Sequence, residues 1–171
     1  MKTKFFLIIA AILIGIAVIP LTVASESQNS DNEPSLVGSY ELIMRQLPDG
    51  TRKTAPDVTG LLTYTKKHRN LNVIWKDVNG KIFSYSQVST YRLTDTEYSE
   101  TVVFSVLNDQ ISGKQISYDL SGQTRSVSVT MKNDGKIEFK LPFDPAMMVF
   151  DENWITAKTE GMFTDYWERV D

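Results

Sequence analysis

From Leu36 to Val170 apolar side chains return at every second position, run after run, and no segment sustains a helical period. Alternation of this kind puts one apolar face on each extended segment, so the chain must pair strands around a shared interior. Leu36, Gly38, Tyr40, Leu42 and Met44 share the first such face, opposite Val37, Ser39, Glu41, Ile43 and Arg45. Thr59–Thr65 reads as a second strand, and Leu71, Val73 and Trp75 mark a third after a basic turn over Lys66–Asn70. Phe83, Tyr85, Gln87, Ser89, Tyr91 and Leu93 hold one face of a long fourth strand, and Tyr98, Glu100, Val102, Phe104 and Val106 one face of a fifth. Ile116–Leu120, Val127–Met131 and Ile137–Leu141 follow, and Gly161–Val170 closes the chain as an aromatic strand.

The breaks between the runs are turn chemistry. Pro48-Asp49-Gly50, Asn79-Gly80 and Asn133-Asp134-Gly135 are hairpin signals, and Asn-Gly in particular suits a turn whose two central residues have positive φ. The one stretch too long for a hairpin loop is Pro142–Lys158. Asp144-Pro145 suits a helix start, so a short helical or irregular insertion is expected at 143–157, either a lid at one end or a packed surface element. Sequentially joined strands with short turns predict an all-β, closed, antiparallel up-and-down barrel of about eight to ten strands. Its last strand should pair with its first.

The N-terminus has a different character. Lys2 and Lys4 precede an apolar run from Phe5 to Ile19, then Pro20 and Thr22-Val23-Ala24, the pattern of a cleaved export signal over residues 1–24. The alternative is an uncleaved tether through residues 5–24. Residues 25–35 carry no aliphatic or aromatic side chain and read as a flexible linker before the domain at 36–171. Secretion or a periplasmic location follows from this reading. The chain has no cysteine, which excludes a disulfide scaffold and thiolate chemistry. Its net charge is −3, and −5 once the two leader lysines are removed, which disfavours nucleic acid as a partner.

Five segments in this order, Leu36–Leu42, Thr59–Thr65, Tyr98–Ser105, Tyr118–Gly122 and Tyr166–Val170, resemble the bacterial lipocalin-like domain proteins of the calycin group of ligand-binding barrels. Gly38-Ser39-Tyr40 stands where lipocalins carry Gly-x-Trp, and Arg169 stands where their last strand supplies an arginine against that ring. The resemblance implies that Gly38, Tyr40, Trp167 and Arg169 close one barrel end, and that the interior holds a small hydrophobic molecule.

Inward phase nominates the ligand-facing residues: Tyr64, Trp75, Tyr85, Gln87, Tyr91, Tyr98, Glu100, Phe104 and Tyr118. An aromatic set rich in phenols suits a cavity as well as a packed core. Glu100 shares the face of Tyr98, Val102, Phe104 and Val106; if that face points inward its carboxylate needs a partner or a raised pKa, with Arg169, Tyr85, Gln87 and Tyr91 as candidates, so that it is a ligand anchor, a member of a structural network, or turned outward by a bulge. Asp165, in phase with Phe163 and Trp167, raises the same question. The single histidine, His68, lies between Lys67 and Arg69 and reads as a loop residue, and no metal site, cofactor motif or nucleophile–base pair is present. A binding protein is the first expectation. The others are a protein-interaction or inhibitor domain on a solid barrel, with Met147–Phe150 as its exposed patch, and an enzyme using Glu100 as general base.

Overall fold

A computed structural model describes residues 34–171. The leader assigned to 1–24 and linker residues 25–33 lie outside the described residues. Among the described residues every regular element is a strand, and every paired strand is antiparallel.

Two meanders make up the sheet. The first runs through β3 (Val58–Tyr64), β4 (His68–Lys76), β5 (Ile82–Leu93) and β6 (Glu97–Asp109), each paired to the next. The second runs through β10 (Ile137–Lys140), β11 (Met147–Phe150), β12 (Trp154–Thr159) and β13 (Phe163–Arg169). The first strand, β1 (Gly38–Gln46), lies between them, on β3 along one edge and on β13 along the other. Its register with β13 sets Tyr40 opposite Arg169, Leu42 opposite Trp167 and Arg45 opposite Asp165. The expected pairing of last strand with first is present. A two-residue β2 (Arg52–Lys53) folds back on the end of β1.

The free edges of the two meanders are bridged by one piece of chain. β7 (Ser117–Asp119) and β8 (Thr124–Ser128) both pair with β6, and β9 (Thr130–Met131) pairs with β10. Only Val129 separates β8 from β9, and its amide donates to Thr96 O at 2.9 Å. Side chains also cross here: Tyr98 of β6 and Phe139 of β10 stack at 4.3 Å between ring centroids, and the Arg125 guanidinium lies 4.8 Å from the Phe143 ring centroid. The hydrogen-bond ladder itself stops at this seam, so the sheet is not closed by hydrogen bonds as the sequence reading expected.

The expected helical or irregular insertion at 143–157 is replaced by two strands. Asp144 acts as a turn residue, its Oδ1 accepting from the Ala146 amide at 2.8 Å, and the chain then enters β11. Alternation was hidden in Met147-Met148-Val149-Phe150 because all four side chains are apolar, yet only Met148 and Phe150 are buried. The expected run Val127–Met131 is split at Val129, where the chain changes partner.

Two bulges alter which residues face inward. Register shifts between Leu42 and Met44, so Arg45 turns into the interior in place of Met44. On β6 Val103 is extra: Ser89 pairs with Val102 and Val88 with Phe104. Beyond it the phase reverses, Ser105 is buried and Phe104 faces out. The basic turn is likewise shorter than expected, since His68 and Arg69 belong to β4, His68 exposed and Arg69 buried.

The hairpin turns share one design. In Leu47–Gly50, Asp77–Gly80 and Lys132–Gly135 the glycine amide donates back to the first residue's carbonyl, and that glycine alone has positive φ. This is a type I turn followed by a left-handed glycine, rather than the two-residue turn expected at Asn79-Gly80. Turn carboxylates complete the design: Asp49, Asp119 and Asp134 accept backbone bonds from Thr51, Ser121 and Lys136. Bonds from the Thr51 amide to Asp49, from the Ser121 side chain and amide to Asp119, and from the Lys136 ammonium and amide to Asp134 hold all three carboxyls below their ordinary value of 3.8. A depressed pKa in the folded chain means stability that is present above about pH 4 and lost as the pH falls through the folded value. The thermal midpoint is therefore expected to drop below about pH 4, and to drop less steeply when the three aspartates are replaced by asparagine; an unchanged slope would remove this account.

Candidate functional site

The interior divides into a packed half and an open half. In the packed half Tyr64 meets Tyr91 and Phe150 edge-on at 5.1 and 5.5 Å, and Phe139 stacks on both Tyr98 and Phe150 at 4.3 and 5.5 Å. These rings fill their own space, as core aromatics do. Tyr40 joins them through an edge contact with Phe150 at 6.4 Å.

The open half holds a cavity of about 370 Å³, within the range of small-molecule sites. Its walls are mainly apolar: Leu62 of β3, Leu71, Val73 and Trp75 of β4, Phe83 of β5, and Met148, Ala157 and Trp167 from the second meander. Leu141, Phe143, Asp144, Pro145 and Ala146, the β10–β11 turn region, also line it, together with Met162. Gly60 makes room for one wall. A Cβ there would lie 3.0 Å from Trp167 Cη2 and 2.8 Å from Asn72 O, so the indole occupies the place where a side chain at 60 would stand.

Two buried ion pairs border this space. Arg45, turned inward by its bulge, donates from Nε and Nη2 to the two oxygens of Asp165 at 2.6 and 2.7 Å. Its guanidinium also lies 4.2 Å from the Trp75 ring centroid and 3.7 Å from that of Phe163. Burial pushes the Asp165 carboxyl up, and the Arg45 bonds pull against that shift. Asp165 thus finds a partner that the alternation of the first strand had placed outside.

The second pair joins Arg69 to Glu100, Nη1 donating to Oε1 at 3.2 Å. Gln87 Nε2 donates to the same oxygen at 2.6 Å and to Ser89 Oγ at 2.7 Å, and the Tyr98 hydroxyl donates to Glu100 Oε2 at 3.0 Å. Tyr85 donates in turn to Gln87 Oε1. Burial raises the hydroxyls of Tyr64, to about 12, and of Tyr98, so both remain protonated at neutral pH. Among the described residues the Tyr64 hydroxyl, Arg69 Nε and Trp167 Nε1 are buried donors that make no hydrogen bond of good geometry.

Of the ligand-facing set, Trp75 and Tyr85 line the cavity. Gln87, Tyr98 and Glu100 are buried beside it in the polar network, and Tyr64 is buried in the aromatic half. Tyr91 is half-buried and gives its hydroxyl to Thr65 O at 2.7 Å. Phe104 and Tyr118 face solvent, the first through the Val103 bulge, the second because β7 is an exposed edge strand. Of the partners considered for Glu100, Gln87 bonds it directly and Tyr85 acts through Gln87, whereas Arg169 lies elsewhere. Glu100 is a member of a network and does not line the cavity.

Arg169 is instead at the end of the paired strands β1 and β13. Its Cζ lies 5.9 Å from the Tyr40 ring centroid and Nη2 donates to Val37 O at 2.9 Å. A Cβ on Gly38 would come within 3.1 Å of both Arg169 Cζ and the Tyr40 hydroxyl. Gly38, Tyr40 and Arg169 therefore meet as the sequence reading placed them, with Trp167 buried opposite Leu42.

Sequence reasoning missed Arg45 and Arg69 as interior residues, and also the walls supplied by Met148, Ala157 and Phe163. Arg69 had a legible signal, since it shares the phase of Leu71, Val73 and Trp75. Arg45 had none. Among the described residues no group of His, Asp and Glu side chains is placed to hold a metal ion. Fold and site together define an antiparallel β domain wrapped around an apolar cavity with ion-paired walls. No family model matches the chain, and neither does any curated protein or solved structure.

Proposed function

We propose that the domain is an exported, lipocalin-like barrel that holds a small hydrophobic molecule in the open half of its interior. The observation that carries this is the contrast between the halves. One is filled by its own aromatic rings, while the other leaves about 370 Å³ between apolar walls in the same fold. In this reading β8, Val129 and β9 act as a single closing strand, which serves β6 with one half and β10 with the other. Export rests on the charged, apolar and small-residue pattern of residues 1–24.

Organic extraction of the protein purified from its native envelope is expected to release one small molecule per chain, and a hydrophobic ligand is expected to change the fluorescence of Trp75 and Trp167 in the cavity wall. Ala157→Leu, which puts added volume into the cavity, should weaken that binding by about tenfold or more while leaving the fold intact. Unchanged affinity in this variant, or no binding by the wild type, would overturn the proposal.

A protein-interaction reading keeps one observation in its favour. Met147–Phe150 is not an exposed patch, since Met148 and Phe150 are buried, but Ile116, Tyr118 and Leu120 around β7 are 54 to 76% exposed. Such a strip beside a strand paired only to β6 is the kind of edge on which another chain docks. The open cavity nevertheless favours the binding reading.

A further inference from the structure

The charged side chains on the cavity wall are Arg45, Arg69, Asp144 and Asp165, and all but one of them have an ionic partner. Arg45 holds Asp165 through two short bonds, and Arg69 holds Glu100, buried just behind the wall. Asp144 is the exception. It is exposed as well as lining the cavity, which puts it at the mouth, in the turn between β10 and β11. There its Oδ1 accepts from the Ala146 amide, and among the described residues no lysine or arginine forms an ion pair with it. Arg125 lies over the neighbouring Phe143 ring and donates to Pro142 O instead.

The Asp144 charge nevertheless acts on the cavity. Burial is the main reason that the Asp165 carboxyl and the Tyr85 hydroxyl are pushed up, and the Asp144 carboxylate adds to both shifts. Asp165 belongs to β13 and Tyr85 to β5, so this charge is felt on two separate walls. With Glu100 included, Asp144, Asp165 and Glu100 face only Arg45 and Arg69. An anionic ligand would add to that excess, whereas a cation would remove it. Aromatic rings act in the same direction: Phe143 follows the same turn and Trp75, Phe83 and Tyr85 line the same space, and ring faces attract an ammonium group. The other walls are apolar and suit a hydrocarbon body.

Resting on the binding reading above, we infer that the cavity takes an apolar amine, its hydrocarbon body between the apolar walls and its ammonium at the mouth against Asp144, and that it discriminates against the corresponding fatty acid.

Three probes of equal chain length test this on the full domain: decylamine, decanol and decanoate, followed by tryptophan fluorescence and equilibrium partitioning at about pH 7, where the amine is a cation and the acid an anion. The amine is expected to bind about fivefold more tightly than the alcohol, and decanoate more weakly than either. Asp144→Asn removes the charge and keeps an oxygen for the Ala146 amide, so in this variant the ratio of amine to alcohol affinity should fall to about one. Equal binding of amine and alcohol by the wild type would leave the cavity reading standing and overturn the amine inference. Tightest binding of decanoate would overturn the charge argument. A full amine advantage in the folded variant would overturn the assignment to Asp144, and if the variant does not fold, the wild-type comparison decides. No binding of any of the three would overturn the cavity reading itself, and this inference with it.

Discussion

Asp165→Ala is expected to destabilise the domain by about 3–5 kcal/mol, the cost of leaving the Arg45 guanidinium charged and buried without its carboxylate. Arg45 cannot escape to water, because it is 3% exposed and its guanidinium is held against Trp75 and Phe163. Denaturant unfolding of the single variant measures the loss, and a cost under about 1 kcal/mol would mean that the pair is solvated. The double variant Arg45→Met, Asp165→Leu behaves differently: with both charges gone, stability should return to the wild-type value or exceed it by about 1–4 kcal/mol. The reason is visible in the carboxyl itself, whose pKa is raised because burial outweighs the Arg45 bonds. A raised folded pKa means that the native state holds this proton more tightly than the unfolded chain. The associated stability is present below the ordinary value of 3.8 and is lost as the pH rises through the folded pKa, opposite in sign to the turn aspartates. The double variant should lack that loss.

Phe139→Ala is expected to cost about 3–5 kcal/mol, with a local signature that an ordinary core truncation lacks. Phe139 is 2% exposed and touches Tyr98 across the one boundary where the ladder stops. Everywhere else backbone hydrogen bonds hold neighbouring strands. Here the rings and the short β8–β9 segment do it, so removing the ring should loosen the seam first. Amide exchange should accelerate over β8, β9 and the first half of β6 before the global transition. Ile155→Ala, at a fully buried position on β12 between two paired strands, serves as the comparison: a similar loss of stability, without selective exposure of the seam. Identical exchange patterns in the two variants would show that the seam carries no special weight.

The difference between what could be read early and what could not follows from range. Period two is a property of consecutive residues, so β1, β3, β4, β5, β10 and β13 were legible from side-chain alternation, and the pairing of the two terminal strands from their shared character. β11 and β12 were obscured where four apolar residues in a row erase alternation and where Asp144-Pro145 serves a turn as well as a helix start. Phe104 was assigned inward because a strand was assumed to keep its phase, and Val103 breaks it. The phase of Asp165 and Glu100 marks them as possible inward carboxylates, yet their partners come from 120 and 31 residues away, a separation that local pattern does not report.

The sequence alone determined the all-β character, the inward phase of most strands and the absence of cysteine chemistry, because each of these depends on neighbours in the chain or on composition; the meeting of Gly38, Tyr40 and Arg169 came instead from the resemblance. Only the tertiary structure decided that Arg45 faces inward, that the ladder stops between β8 and β10, and that one half of the interior is open. Those outcomes depend on bulges and on how rings from distant strands share a fixed volume, and volume is a property of the folded whole.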